Sequence, residues 1–302
     1  MSARLLVVVG PTASGKSALA IALAQQLNGE VINADSVQIY RHFDIGSGKV
    51  PATERGDIPH HLIDVCDPHE IVDAAWFIGR AEQALADIQR KGRLPIVCGG
   101  TFLWVRALLY GLAPAPPRDE AVRATHQQIA SEQGRTALHQ QLAAVDPQSA
   151  QRLSPNDFVR VSRALEVFQL SGTPLSDLQA AHGFKSARYN ATLLGIRHTS
   201  DELTARITER THNMFAAGLL NEVRQLRSAG YRHTRAMQSV GYREVNAALE
   251  QAAQPNLAEL EQVIVRKTRI FARRQRTWLR EQAVTWLAPS QAFDATALGL
   301  RA

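Results

Sequence analysis

Leu5-Leu-Val-Val-Val9, then Gly10-Pro11-Thr12-Ala13-Ser14-Gly15-Lys16-Ser17, then Ala18-Leu-Ala-Ile-Ala-Leu-Ala24 is the stretch that decides the fold. Five consecutive apolar residues read as a buried strand, and the alanine- and leucine-rich run reads as a helix. Between them lies G-x-x-x-x-G-K-[ST] in the strand–loop–helix setting that gives this pattern its mechanism. Loop amides and a helix N-terminus cradle an anion there. Lys16 adds a point charge, and the Ser17 hydroxyl is the candidate ligand for Mg²⁺. Gly10, Pro11, Thr12, Ala13, Ser14, Gly15, Lys16 and Ser17 are thus the expected phosphate-binding residues. The pattern is shared with ATP-binding proteins and does not say whose phosphates are held.

Outward from the loop, strand and helix alternate over the first hundred residues. Glu30–Asn33 reads as a second strand, ending at Ala34-Asp35-Ser36, and His61–Val65 as a short one. Ala74–Arg90 reads as a helix stopped near Gly92. Leu94–Cys98 is a strand ending in Gly99-Gly100-Thr101. This alternation predicts an α/β fold, a P-loop parallel sheet covered by helices. Functional groups then belong at the carboxyl ends of strands, so the loop, Asp35 and Thr101 should meet in one crevice. Texture changes at Pro114-Ala-Pro-Pro117, after which Asp119–Gln133, Arg135–Val145 and Asp157–Leu170 read as helices. Ala191–Ile196 reads as a strand again, Thr199–Glu202 as a capping box, and the remainder as helical. The organisation expected is a core of residues 1–112 and 190–302 interrupted by a helical insertion domain, 113–189.

The chain has 302 residues, 45% of them hydrophobic, a formal net charge of +6 and two cysteines. Such a charge suits an anionic partner. Without Cys-x-x-Cys or a Cys/His cluster, neither a zinc site nor a disulfide framework is expected. No secretory leader or membrane span is read at the N-terminus, so the expectation is a cytoplasmic protein with no membrane partner. The positive charge concentrates between Arg266 and Arg280, where seven basic residues stand without an acidic one. On a helix, Arg266, Arg269, Arg273, Arg276 and Arg280 fall within an arc of roughly 80°, a ridge about 20 Å long. Ile264, Phe271 and Trp278 would pack on the other side. Arginine pairs with phosphates and stacks on bases, which points the ridge toward RNA. The pair His60 and His61 has no third ligand nearby in sequence and reads as structural.

In order along the chain stand GPTASGKS, Asn33-Ala-Asp-Ser-Val-Gln-Ile-Tyr40, Asp44-Ile-Gly-Ser-Gly-Lys49, Pro59-His-His-Leu-Ile-Asp-Val65, Val97-Cys-Gly-Gly-Thr101, Arg163-Ala-Leu-Glu-Val-Phe168, Ser239-Val-Gly-Tyr-Arg-Glu244 and Arg273-Arg-Gln-Arg-Thr-Trp-Leu-Arg280. Together they resemble the bacterial tRNA dimethylallyltransferase (tRNA isopentenyltransferase) family over nearly the whole chain. The resemblance implies a prenyltransferase of tRNA processing. Its substrates would be dimethylallyl diphosphate and the adenosine 3′ of the anticodon, alkylated at N6, in tRNAs reading codons that begin with U. It implies Asp35 as base, and Lys16, Thr101 and Arg210 as further catalytic residues, with Mg²⁺ as cofactor. Contacts to the tRNA anticodon stem-loop would come from Asp35, Ser36, Val37, Gln38, Thr101 and Arg123. Further contacts would come from Val159, Arg160, Val161, Ser162 and Arg163, and from Gln238, Ser239, Val240, Gly241, Tyr242 and Arg243. The last group would be Arg273, Arg274, Gln275, Arg276, Thr277, Trp278, Leu279 and Arg280. Val159 and Val161 are more apolar than the family's usual residues there. One enzyme wrapping one stem-loop suggests a monomer. Read without the resemblance, Thr101 equally fits a helix cap and Asp35 a loop aspartate.

Two other functions fit parts of the pattern. A small-metabolite kinase would need an acidic residue at the end of a strand such as Leu94–Cys98, where Gly-Gly-Thr stands instead. A non-enzymatic RNA-binding protein would use the loop only as a phosphate sensor.

Overall fold

A computed structural model describes residues 4–289 and Ala295. These divide into two compact units, Met1–Leu109 with Arg188–Ala302 and Tyr110–Ala187. Parts of the expected core, residues 1–3, 290–294 and 296–302, lie outside the described residues.

The first unit is a six-stranded sheet with helices. Its strands are β1 (Arg4–Val9), β2 (Gly29–Asn33), β3 (His60–His61), β4 (Leu94–Gly99), β5 (Asn190–Ile196) and β6 (Val284–Leu287), in the order β3-β2-β4-β1-β5-β6. Every neighbouring pair is parallel. β1 lies centrally, and its Leu5 to Val9 are buried, which is why it reads as an unbroken apolar run. Leu6 and Val8 pack with Leu19 and Leu23 of helix α1 (Lys16–Gln26), and with Val31, Ile96, Leu194 and Ile196 from the flanking strands. Glycine is required at Gly99, where a Cβ would stand 2.1 Å from the Ala34 carbonyl oxygen. That close approach of β2 and β4 brings the turns after them together.

Two expectations about strands change. His61–Val65 is not a strand: β3 is only two residues long, because Leu62 and Asp64 take left-handed conformations (φ 60° and 57°) that end the extended chain. The chain after residue 199 is not wholly helical. Val284-Thr-Trp-Leu287, a β-branched and aromatic run, adds β6 to β5.

Between β2 and β4 lie α2 (Ala52–Arg55) and α3 (Ala74–Arg90), and α4 (Phe102–Tyr110) follows β4. Glu30, fully buried at the start of β2, is paired with His61, Lys91 and Arg93. Burial pushes its carboxyl upward, but the His61 and Lys91 hydrogen bonds outweigh this and hold it below the usual value. His61 therefore ties β3 to β2.

The second unit is helical: α5 (Glu120–Glu132), α6 (Arg135–Val145), α7 (Pro147–Arg152), α8 (Phe158–Ser171) and α9 (Leu175–His182). Asp119, Asp146 and Asp157 cap α5, α7 and α8 with their side chains. Leu138, Leu142, Val161, Ala164 and Leu165 form its core. Glu166, wholly buried on α8, accepts from Arg123 (2.8 Å) and the Asp119 amide (2.8 Å), and pairs with Arg163.

Back in the first unit, α10 (Ser200–Ala216), α11 (Leu219–Ser228), α12 (Tyr242–Gln251) and α13 (Leu257–Leu279) follow β5. The Thr199–Glu202 capping box forms with both arms made. α13 carries the arginine ridge and buries Leu260, Ile264, Ala272, Gln275 and Leu279, so of the expected packing residues Ile264 is in the interior. Trp278 stacks on Phe102 at 4.4 Å, while Phe271 remains 42% exposed. Among the described residues no carboxylate pairs with Arg266, Lys267, Arg269, Arg273, Arg274, Arg276 or Arg280.

Candidate active site

Three strand ends form the site. The loop after β1 winds from Gly10 to Gly15, where φ is 87°, and runs into α1 at Lys16. A left-handed residue suits glycine, and it turns the helix N-terminus toward the ligand side. Ser14 Oγ is buried and has no hydrogen-bond partner among the described residues. A buried hydroxyl without a partner is costly.

After β2, the Asp35 carboxylate accepts from the amides of Val37 (2.9 Å) and Gln38 (3.3 Å) through one oxygen, Oδ1. After β4, Thr101 Oγ1 accepts from the Ser36 amide at 3.0 Å and lies 3.2 Å from Ser36 Oγ. The Thr101 hydroxyl is thus spent on the neighbouring turn rather than on capping α4. Gln38 Nε2 donates to the carbonyls of Ser47 and Gly48, both at 3.2 Å, and secures the 44–48 loop beside the same turn.

Arg210 reaches in from α10. Its guanidinium donates to Thr12 Oγ1 at 2.5 Å and to the Ser47 carbonyl at 3.2 Å. Burial lowers the affinity of both Lys16 and Arg210 for their protons, and the nearby Asp35 carboxylate works against that for each. Two enclosed cations facing a carboxylate favour a ligand that brings more negative charge. Lys49, by contrast, is committed: its ammonium bonds the Tyr40 carbonyl at 2.6 Å and pairs with Asp44 and Asp64.

Thr12, Lys16, Ser17, Asp35, Thr101 and Arg210 line one cavity of about 350 Å³, with Ile207, Met214, Ile264 and Phe271 supplying apolar wall. Gln238, Ser239, Val240 and Gly241 line it too. A larger cavity of about 1000 Å³, bounded by Ala13, Asp44, Arg55 and Glu209, shares Lys16, Ser17, Gly48, Arg210 and Met214 with the first. The phosphate loop is therefore reached from two sides.

Mg²⁺ prefers hard oxygen ligands, often one protein oxygen with substrate phosphates completing its shell. The Ser17 hydroxyl, on both cavities beside Lys16, fits that donor set. No cluster of three His, Cys, Asp or Glu side chains suited to a metal exists among the described residues.

The residues expected to contact the acceptor stand in different surroundings. Val161, Ser162, Tyr242, Gln275 and Leu279 are buried and serve the interior. Ser162 bonds His126 at 2.9 Å. Tyr242 Oη donates to Glu222 at 2.6 Å. Gln275 Oε1 accepts from the Thr12 amide at 2.8 Å, and its Nε2 donates to the Gly100 carbonyl at 3.0 Å. Arg123 and Arg163 are engaged by Glu166, Arg160 by Asp157 and Arg243 by Glu244. Val159, Arg273, Arg274, Thr277 and Arg280 are exposed, and Arg276 is half-buried with its guanidinium on Ser200 Oγ at 2.8 Å.

Glu222 is a residue that the sequence did not single out. Buried on α11, it accepts from the amides of Asp44 (3.0 Å), Ile45 (2.7 Å) and Gly46 (3.1 Å). A lone glutamate in an amphipathic helix carries no sequence signal for a partner nearly 180 residues away.

Fold and site define a phosphate-loop α/β protein whose anion cradle opens into a chamber holding a carboxylate and an apolar wall. Residues 38–282 match the IPP transferase family model and residues 3–58 the isopentenyl transferase model, and the chain belongs to the IPP transferase family. A tRNA dimethylallyltransferase of Sorangium cellulosum is 55% identical over 94% of this chain and 90% of its own. One of Anaeromyxobacter dehalogenans is 49% identical over 97% and 95%. Among solved structures, the tRNA isopentenylpyrophosphate transferase of Staphylococcus epidermidis is 33% identical with a TM-score of 0.71, covering 98% of both chains. A eukaryotic dimethylallyltransferase acting on tRNA is 27% identical with a TM-score of 0.80, over 98% of this chain and 75% of the other.

Proposed function

We propose that this protein transfers the dimethylallyl group of dimethylallyl diphosphate to N6 of the adenosine 3′ of the anticodon, in tRNAs reading codons that begin with U. The observation that carries the reading is the convergence of Asp35 with Lys16 and Arg210 in one chamber. In the reaction, N6 attacks C1 of the donor, and the C1–O bond breaks with its electron pair leaving on the diphosphate. The Asp35 carboxylate takes the N6 proton. Lys16, Arg210 and the loop amides hold the charge that grows on the departing oxygens. Bound Mg²⁺, held by Ser17 and the diphosphate, would add Lewis-acid stabilisation of that leaving group. Met214, Ile207, Ile264 and Phe271 offer the prenyl chain a water-poor wall.

The two cavities meeting at Lys16 suit separate entry of the two substrates. An adenine inside a stacked anticodon loop must swing out to reach Asp35. Exposed arginines on α13, with Arg160 on α8, are the proposed contacts to the tRNA backbone. A tRNA partner and the absence, among the described residues, of any helix long and apolar enough to cross a membrane suit a cytoplasmic enzyme. A monomer suffices for it.

The test is incubation with labelled dimethylallyl diphosphate, Mg²⁺ and unmodified tRNA, with and without ATP. Label should enter the tRNA without ATP. ATP hydrolysis with no transfer would return the protein to the kinase-like class.

A further inference from the structure

The phosphate loop is braced from behind. Ala13, not a glycine, sits at φ 63° in a turn closed by the Ser14 amide on the Pro11 carbonyl at 3.2 Å. A left-handed conformation is unfavourable for an L-residue and persists only where its surroundings enforce it. Two side chains from the β5–α10 segment do so. Arg206 Nε donates to the Ala13 carbonyl at 2.7 Å. His198 Nε2 lies 3.0 Å from the Ser14 carbonyl oxygen. A carbonyl only accepts, so Nε2 carries the hydrogen of that bond.

In a planar trans peptide, the carbonyl oxygen and the next N–H point opposite ways. With the Ser14 oxygen turned back onto His198, the Gly15 N–H is turned away from it, to the ligand side. The amides of Gly15, Lys16 and Ser17 donate to no carbonyl or side chain among the described residues, as the first turn of a helix requires. His198 lines none of the cavities that reach Lys16. Its side chain is only 7% exposed and faces a separate cavity of about 430 Å³ behind Pro11. It therefore reaches a bound anion only through the loop backbone.

We propose that His198, assisted by Arg206, is a positioning residue that fixes the Ser14–Gly15 peptide in the orientation that binds the diphosphate. The inference rests on the reading of the loop as a diphosphate site. The experiment measures binding of inorganic pyrophosphate with Mg²⁺ by calorimetry, then KM for dimethylallyl diphosphate and kcat, in the intact protein. His198→Leu should weaken pyrophosphate binding about tenfold and raise KM for the donor similarly, with the KM for tRNA unmoved. His198→Gln, which keeps a donor at that place, should recover binding to within about twofold. Arg206 also lines the larger cavity beside Lys16, so its removal would mix positioning with direct loss of charge. If His198→Leu does not fold, His198→Phe, which keeps a ring and removes the donor, decides the matter. Folded variants that bind pyrophosphate as tightly as the parent overturn the positioning role. A parent protein with no affinity for pyrophosphate overturns the diphosphate reading itself.

Discussion

Arg210 and Thr12 stand 198 positions apart and meet at 2.5 Å, guanidinium to hydroxyl, across the mouth of the phosphate loop. That contact fixes a delocalised cation beside the place where a leaving diphosphate would gather charge. Arg210→Gln removes the charge and the fork geometry together. The expected result is a rise of about tenfold to a hundredfold in KM for the diphosphate donor, the loss of one charge-assisted interaction. Affinity for tRNA, read by filter binding, should stay within about twofold. Arg210→Lys should recover little, because an ammonium cannot reach both Thr12 and Ser47.

Asp35 is held in place by the Val37 and Gln38 amides on one carboxylate oxygen. Asp35→Asn keeps the acceptor oxygen and the shape of the turn but removes the base. Single-turnover transfer at saturating tRNA should slow by about 10²–10⁴-fold while tRNA binding is preserved. Transfer at the parent rate would exclude Asp35 as base.

Glu222 accepts three consecutive amides and the Tyr242 hydroxyl. Glu222→Ala takes the partner from the buried Tyr242 hydroxyl and from three part-buried or exposed loop amides, so unfolding in urea should show a loss of roughly 1–3 kcal/mol. Protease susceptibility should rise first around Asp44–Gly48, because those amides lose the group that holds them.

The buried Glu166 carboxyl gives the helical unit a pH dependence. Burial raises its pKa, but the hydrogen bonds from Arg123 and Arg163 prevail and bring it down to about 2 from 4.5. The folded form therefore prefers the carboxylate more strongly than the unfolded chain does. This stabilisation is complete above about pH 4.5 and drains away as pH falls toward 2. The gap corresponds to on the order of 3 kcal/mol. Acid titrations of stability should show that slope, and Glu166→Gln should flatten it while lowering stability at neutral pH.

The ridge on α13 predicts a salt effect. Arg273→Ala removes an exposed guanidinium, so tRNA affinity should fall, and the slope of log affinity against log salt should become shallower by up to about one. An unchanged slope would remove Arg273 from the tRNA-contacting set.

Much of this architecture is legible in the residues themselves. The run Leu5–Val9 and the glycines around Lys16 are local signals, and both survive folding unchanged. Asp35 and Thr101 were readable as strand ends because a parallel sheet places all such ends on one edge. Other features depend on contacts that no local pattern encodes. β3 shrinks to two residues because Leu62 and Asp64 turn left-handed. β6 looked like the tail of a helical region until β5 offered it a partner. Gln275 sits among arginines and reads as one more nucleic-acid contact, yet it turns inward because Thr12 and Gly100 present a donor and an acceptor that only an amide satisfies together. Glu222 was invisible for a similar reason.

The Gln275 clamp bears on how the protein comes into being. A ribosome emits the phosphate loop before the rest of this domain, and domains commonly begin to fold as they emerge. The Thr12 amide nevertheless waits for a residue 263 positions later, and the Gly100 carbonyl for the same residue 175 positions later. A nascent chain can form the central strands early and still lack a finished cradle until α13 has left the exit tunnel. Competence to hold a substrate would then arrive late and all at once, with the same helix that delivers the arginine ridge.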